Sequence, residues 1–260
     1  MRVLRVEDEV QTVKEADMVR VQLSVNINKY ALVRNSRGHD TPNLLDAADA
    51  VLAAGAHGIT VHPRRDQRHV LYSDLVPLAA HLASKHPGVE LNIECENHPE
   101  IVDLVVALRP AQCTLVPVRP GEVTSDHGYR FPEDNAELAQ TIGRLHRVGT
   151  RVSLFVDCDP GPVAGAYDAG ADRVELYTGP YAWAWGKPDQ EIARAAMFAT
   201  AEAAARVGLS VNAGHDLDRH NLIGLRGLPG LREVSIGHAQ ICRALEVGTQ
   251  RSVRELLAAL

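Results

Sequence analysis

The sequence predicts an α/β fold, a single (β/α)8 TIM barrel with extra helices and an N-terminal extension, and three observations carry that expectation. Eight short apolar runs alternate with stretches of helical length. Five of those runs stop on a residue able to move a proton or hold an anion. The 260 residues also match the roughly 250 that one such barrel needs.

The runs lie near 22–27, 58–62, 90–94, 112–117, 151–156, 172–177, 209–213 and 233–236. Alternation of this kind implies a parallel sheet, and eight units with no second cluster favour a closed barrel over an open sheet. Residues 58–61 run into His62, 90–93 into Glu94 and 172–174 into Glu175; 210–214 run into His215 and 234–237 into His238. Parallel barrels carry their chemistry at the C-terminal ends of their strands, so these residues mark one expected active face. Residues 1–20 are expected as an extension and 21–260 as the barrel, with proline and glycine as punctuation and no linker.

Helix signals fill the gaps. Thr41-Pro42-Asn43 reads as a cap followed by an N1 proline, after which Leu44, Leu45, Ala48 and Leu52 form a stripe ending at Gly55. Residues 189–207 place Ile192, Ala196, Ala199 and Ala203 on one face and stop at Gly208, which reads as a C′ glycine. The stretch 117–133 fits neither period, and a loop of that length in a compact domain often serves as a lid.

Composition excludes several classes. The formal charge of −6 favours solubility, and no basic run or aromatic-rich basic patch offers itself to nucleic acid. No apolar run reaches the roughly 18 residues of a membrane span. The first twenty residues lack the apolar centre of a signal peptide. Cys95, Cys113, Cys158 and Cys242 form no CxxC pair, as expected of reduced thiols in the cytoplasm.

Strand parity sharpens the candidate list, because residues two apart face the same way. Asn26 with Asn28, Thr60 with His62, Asn92 with Glu94, Arg173 with Glu175 and Tyr177, and Ser210 with Asn212 and Gly214 form polar sets. The residues between them (Ile27, Val61, Ile93, Val174, Val211) are apolar and suit packing beneath the helices. The polar sets must then point inward, where an unpaired polar group costs about 1–3 kcal/mol, so a hydrogen-bonded network or a ligand is expected. Glu94 and Glu175 are proton carriers if burial raises their pKa values, and His62, His215 and His238 titrate near neutrality without help.

Anion binding is the second theme. Arg34-Asn35-Ser36-Arg37-Gly38 follows the first strand and 64–69, with Arg64, Arg65, Arg68 and His69, follows the second. Guanidinium groups in loops at the mouth suit phosphate. Gly214-His215-Asp216 follows strand seven and Gly237-His238 follows strand eight, the places where barrels hold phosphate on glycine amides and a helix N-terminus. Two anion sites imply two phosphorylated substrates or one bisphosphate. His62, His69, His215, His238 and Glu94 contain metal-ligating atoms, but no HxH or HExxH spacing gathers them, so no metal is expected. A nucleophilic triad has no GxSxG elbow, and Lys29 is the lysine beside a strand end.

In the blocks SVNINKYALVRNSRG (24–38), GITVHPRRDQRH (58–69), LNIE (91–94), LVPVRPGEVTSDHG (115–128), SLFVDCD (153–159), VELYTG (174–179), VNAGHDL (211–217) and IGHA (236–239), the chain resembles the pyridoxine 5′-phosphate synthase family. The resemblance implies a cytoplasmic (β/α)8 homo-oligomer, commonly an octamer, with no cofactor. It implies condensation of 1-deoxy-D-xylulose 5-phosphate with 3-amino-2-oxopropyl phosphate, releasing phosphate and water. By position it makes His62 and Glu94 proton acceptors, His215 a proton donor and Glu175 a support for the reacting centre. Asn26, Arg37, Asp216, Gly237 and His238 would hold the amino-ketone phosphate; Asn28, Lys29, Arg64, His69 and Thr124 would contact the sugar phosphate. The chain departs from many members at Asn28-Lys29, where they read Asp-His, and at Asp216, where they carry Gly. The rival expectations are another phosphosugar isomerase or aldolase barrel, needing one phosphate site, and a non-catalytic barrel binding vitamin precursors.

Overall fold

The computed structural model describes residues 20–119, 121–133 and 135–260, so all of the expected extension but Arg20 lies outside the described residues. Strands β1 (Gln22–Asn26), β2 (Gly58–Val61), β3 (Glu90–Cys95), β4 (Gln112–Leu115), β5 (Arg151–Val156), β6 (Arg173–Tyr177), β7 (Ser210–Gly214) and β8 (Leu231–Ile236) close in chain order into a barrel. Every neighbouring pair is parallel, and β1 closes on β8 with Leu23 opposite Val234 and Val25 opposite Ile236. Each run expected as a strand is one.

Ten α-helices surround it: α1 (Asn28–Asn35), α2 (Leu44–Ala53), α3 (Tyr72–Lys85), α4 (Pro99–Leu108), α5 (Asn135–His146), α6 (Gly161–Asp168), α7 (Gly179–Ala184), α8 (Gln190–Val207), α9 (His238–Val247) and α10 (Thr249–Ala259). Two helix readings need correction. Asn43, not Thr41, caps α2: its side chain accepts from the amides of Leu45 (2.8 Å) and Asp46 (3.3 Å), leaving Pro42 ahead of the cap rather than at N1. An amide side chain reaches these orphan donors where a proline would only have removed one. In α8 the buried residues are Met197, Thr200, Ala201, Ala203 and Ala204, so of the expected stripe Ala203 is buried, while Ile192 is 75% exposed. The face turned inward is the one whose small residues let the helix approach closely, and Thr200 satisfies its hydroxyl on the Ala196 carbonyl at 2.8 Å. Gly55 (φ +106°) and Gly208 (φ +88°) end α2 and α8 as expected, in a backbone region that favours glycine.

The outward strand residues Val25, Ile59, Val61, Ile93, Val174 and Val211 are fully buried beneath the helices. Burial of this kind contributes about 1.5–3 kcal/mol per side chain. The inward residues are polar and interlocked. Toward the N-terminal ends of the strands, Arg173 donates to Gln112 (3.2 Å) and Asn212 (3.0 Å), Arg151 donates to Gln112 (3.0 Å) and pairs with Glu90, and Gln112 donates to Glu233 (3.3 Å). Further along, Ser24 and Thr60 share a 2.6 Å hydrogen bond and Thr114 donates to Asn92 at 3.2 Å. The network answers the demand that buried polar groups be paired.

Burial pushes the Glu233 carboxyl up to about 7, with Arg173 pulling the other way and Glu90 adding to the rise. An unfolded glutamate titrates near 4.3, so the folded chain holds this proton more tightly, and stability is lost as pH rises from about 4.3 to about 7. Glu233→Gln should remove that part of the loss, on the order of 3 kcal/mol at most. Urea unfolding at about pH 5 and pH 8 measures it: the variant's drop should be smaller than wild type's, and an equal drop would refute the assignment.

Candidate active site

The C-terminal ends of the strands open into a cavity of about 410 Å³. Its walls include Asn26, Asn28, Lys29, His62, Arg64, His69, Glu94, Thr124, Glu175, His215, Asp216, Gly237 and His238, every residue given a role by the family resemblance except Arg37. Arg37 is exposed beyond the end of α1 and does not line this cavity. Its neighbour Arg34 is committed elsewhere, gripping Asp74 of α3 through two 2.8 Å bonds, and Asn35 donates to the His69 carbonyl at 2.7 Å. The loop after β1 therefore ties α1 to its neighbours rather than forming an anion cradle. The helix α1 runs into the segment expected as a loop, and its last turn spends these side chains on packing.

Glu94 ends β3 with Oε2 3.4 Å from His62 Nδ1 and 3.5 Å from Asn26 Nδ2. Glu175, almost fully buried on β6, accepts from Thr114 Oγ1 at 3.3 Å. Burial raises the Glu175 carboxyl well above the usual range, with the charges of Glu94 and Glu233 adding to the rise. Gly214 makes room for it, since a Cβ there would stand 2.4 Å from Glu175 Oε1. Asn28 does not share a strand face with Asn26. The strand ends at Asn26 and Asn28 opens α1, where its Oδ1 accepts the His62 amide at 2.8 Å while its own amide donates to Asn26 Oδ1 at 3.0 Å. These bonds pin the ends of β1 and β2 together beneath His62.

One side of the cavity is cationic. Arg64 is 5% exposed, and its Nη2 donates to Glu122 of the long loop at 2.9 Å. Arg68 donates to the carbonyls of Glu122 (3.2 Å) and Val123 (2.9 Å). His69 is pushed down to about 3, first by burial and then by His62, Lys29 and the two guanidiniums, so its ring is neutral. Its Nδ1 accepts the Val70 amide at 3.0 Å, which leaves the ring proton on Nε2. After β8, Gly237 precedes α9, whose first amides lack acceptors within the helix. A Cβ at Gly237 would meet the Asn26 carbonyl at 2.8 Å, so close passage of the backbone here requires glycine.

The loop over 117–133 lies across the mouth. Beyond its ties to Arg64 and Arg68, Thr124 Oγ1 sits 3.0 Å from His215 Nε2, and the Gly128 amide donates to Asp157 at 3.0 Å. Three lining residues escaped the sequence reading. Arg68 lay in a recognised basic run but was not distinguished from Arg65, which turns outward. Ser125 and Ser235 line the cavity with hydroxyls that are buried without a partner among the described residues. Parity would have found Ser235, two residues before Gly237. The residues weighed as metal donors do not form a convergent set; among the described residues three donor atoms approach within 4.8 Å at Asp49, His81 and His86, and at Glu122, Asp126 and His127.

One cavity thus gathers the Glu94–His62 pair, the buried Arg64 and the glycine that precedes α9. Residues 23–260 match the family model described as pyridoxal phosphate biosynthesis protein PdxJ. The chain belongs to that family. Pyridoxine 5′-phosphate synthase of Xanthomonas axonopodis pv. citri (strain 306) is 50% identical over 241 residues, covering 90% of this chain and 94% of that one. The synthase of Albidiferax ferrireducens (strain ATCC BAA-621 / DSM 15236 / T118) is 49% identical over 242 residues, covering 91% and 96%. Among solved structures, phosphoribosyl anthranilate isomerase of Thermus thermophilus aligns with a TM-score of 0.56 at 17% identity, covering 92% of this chain and 98% of that one. The tryptophan synthase A-subunit of Pyrococcus furiosus gives 0.60 at 13%, covering 92% and 97%. These structural likenesses speak for the barrel alone. Among the described residues no helix is long and apolar enough to cross a membrane.

Gly214→Ala should drive the new methyl into Glu175 and cost about 1–3 kcal/mol of stability, as overpacking does. Thermal unfolding checks it; an unchanged melting temperature would mean that Glu175 is not held against this strand.

Proposed function

We propose that this chain is a pyridoxine 5′-phosphate synthase, condensing 1-deoxy-D-xylulose 5-phosphate with 3-amino-2-oxopropyl phosphate to give pyridoxine 5′-phosphate, phosphate and water. The observation that carries the reading is the pairing of two different anion sites across one proton-transfer centre, in a chain of this family. The product keeps one phosphate of two, so the two cradles have unequal work: one retains its ester while the other lets phosphate depart.

Arg64, His69, Asn28, Lys29 and Thr124 take the sugar phosphate on the cationic side. Asn26, Gly237, His238 and the Asp216 backbone take the amino-ketone phosphate. Arg37, assigned to that ester by position, stands outside the cavity. Glu94 and His62 accept protons as the imine and enamine form, and their 3.4 Å approach allows each to relay to the other. His215 donates a proton to a departing oxygen. Glu175, held toward its protonated form by burial, offers a hydrogen bond to developing negative charge rather than a base. The loop over 117–133 keeps bulk water from the reactive intermediates. No step calls for a metal or an organic cofactor. The same reading expects a cytoplasmic homo-oligomer, octameric as the family resemblance implies.

Phosphate release measured with both substrates tests the reaction. Glu94→Gln and His62→Asn should each suppress turnover by about 10²-fold or more, the scale of a lost acid–base group, with phosphate-ester binding retained. Turnover near wild type would remove either residue from the mechanism. Arg64→Ala should weaken one phosphorylated substrate and Gly237→Val the other; if both variants weaken the same substrate, a single-phosphate isomerase or aldolase becomes the better reading.

A further inference from the structure

His215 follows β7 in a left-handed conformation (φ +85°), and Asp216 after it is left-handed too (φ +56°). Neither is glycine, although this backbone region favours glycine, so the surrounding structure holds the turn in place. The turn folds the Asp216 side chain back on its neighbour. Asp216 Oδ2 lies 3.1 Å from His215 Nδ1, and the same oxygen accepts the indole N–H of Trp183, on α7, at 2.8 Å. The other imidazole nitrogen, Nε2, faces Thr124 Oγ1 at 3.0 Å on the cavity side. The ring of Tyr177 stands edge-on to His215, with centroids 5.1 Å apart, and edge-on to Trp183 at 6.2 Å. One carboxylate oxygen is thus fixed by an indole and placed against the imidazole nitrogen that points away from the chemistry.

We propose that Asp216, braced by Trp183, is the positioning residue of His215: its carboxylate, at ion-pair distance from Nδ1 but not aligned for a hydrogen bond with it, orients the ring and stabilises the imidazolium whose Nε2–H faces the substrate. The inference rests on the reading of His215 as proton donor. A carboxylate at ion-pair distance favours the charged imidazole, as an acid working near neutral pH requires. The imidazole beside it holds the Asp216 carboxyl below the usual range, with Trp183 and His238 contributing, so the aspartate stays anionic. The other titratable groups facing this pair are Tyr177 on β6 and His238 on α9; Asp126 on the long loop and Asp157 after β5 act on Tyr177, and Glu175 lies against Gly214, the residue before His215.

The test is the pH dependence of turnover together with an NMR titration of His215 in the full-length protein. Asp216→Asn should move the alkaline limb of kcat, and the His215 midpoint read by NMR, to lower pH. The loss should be about tenfold near pH 8 and small near pH 6. Asp216→Glu should recover part of the shift, and Trp183→Phe should give a smaller shift in the same direction, which keeps the idea testable if the Asp216 variants fold poorly. An unchanged His215 midpoint in Asp216→Asn and in Trp183→Phe overturns the proposal. So does a rise in KM for the amino-ketone phosphate with no displacement of the limb. His215→Asn separates the two layers: full activity in that variant would sink the donor role itself, whereas the NMR midpoint judges Asp216 regardless.

Discussion

Glu94 and Glu175 share one buried space at the C-terminal mouth of the barrel, and the charge of the first disfavours ionisation of the second. Burial acts in the same direction and is the larger influence. The surroundings are built to keep this arrangement. Gly214 gives Glu175 its room, Thr114 holds one of its oxygens, and Asn26 and His62 bracket Glu94. Two carboxyl groups of the same chemistry are thereby driven to different tasks, one exchanging protons with an imidazole and one presenting a proton. A reaction with several proton transfers needs this division, because one base cannot be both donor and acceptor at each step.

Around that centre the strand ends supply the two surfaces proposed to take the phosphates. The guanidinium side is already electrostatically engaged: Arg64 and Arg68 hold Glu122 and the backbone of the long loop across the mouth. The other side relies on backbone, a glycine pressed against Asn26 and the start of α9. Deeper in the barrel Arg173, Gln112, Asn212 and Glu233 are linked to one another, while at the mouth the hydroxyls of Ser125 and Ser235 have no partner among the described residues. A ligand is the natural partner for such hydroxyls.

Much of this was legible in the chain because a strand has a period of two and a barrel buries one parity. Thr60, Asn92, Glu175 and Asn212 declared the inner face, and the apolar residues between them declared the outer one. What escaped lay where periodicity stops. Asn28 sits just past the end of β1, and there a helical turn, not pleating, sets direction. Arg34 and Arg37 look alike in sequence, but the partner that claims Arg34, Asp74, lies forty residues away on another helix. The inward face of α8 was misjudged because a stripe rich in alanine has little hydrophobic contrast, and Ile192, its largest apolar member, points to solvent.

The division of labour between the two carboxyl groups is best tested by titrating Glu175 itself, through isotope-labelled glutamate carboxyl signals in the ligand-free protein. A barrel built this way keeps Glu175 protonated well above the ordinary glutamate range and lets that midpoint fall when Glu94 is replaced by glutamine. A Glu175 that titrates near 4.3, indifferent to the charge on Glu94, would contradict it.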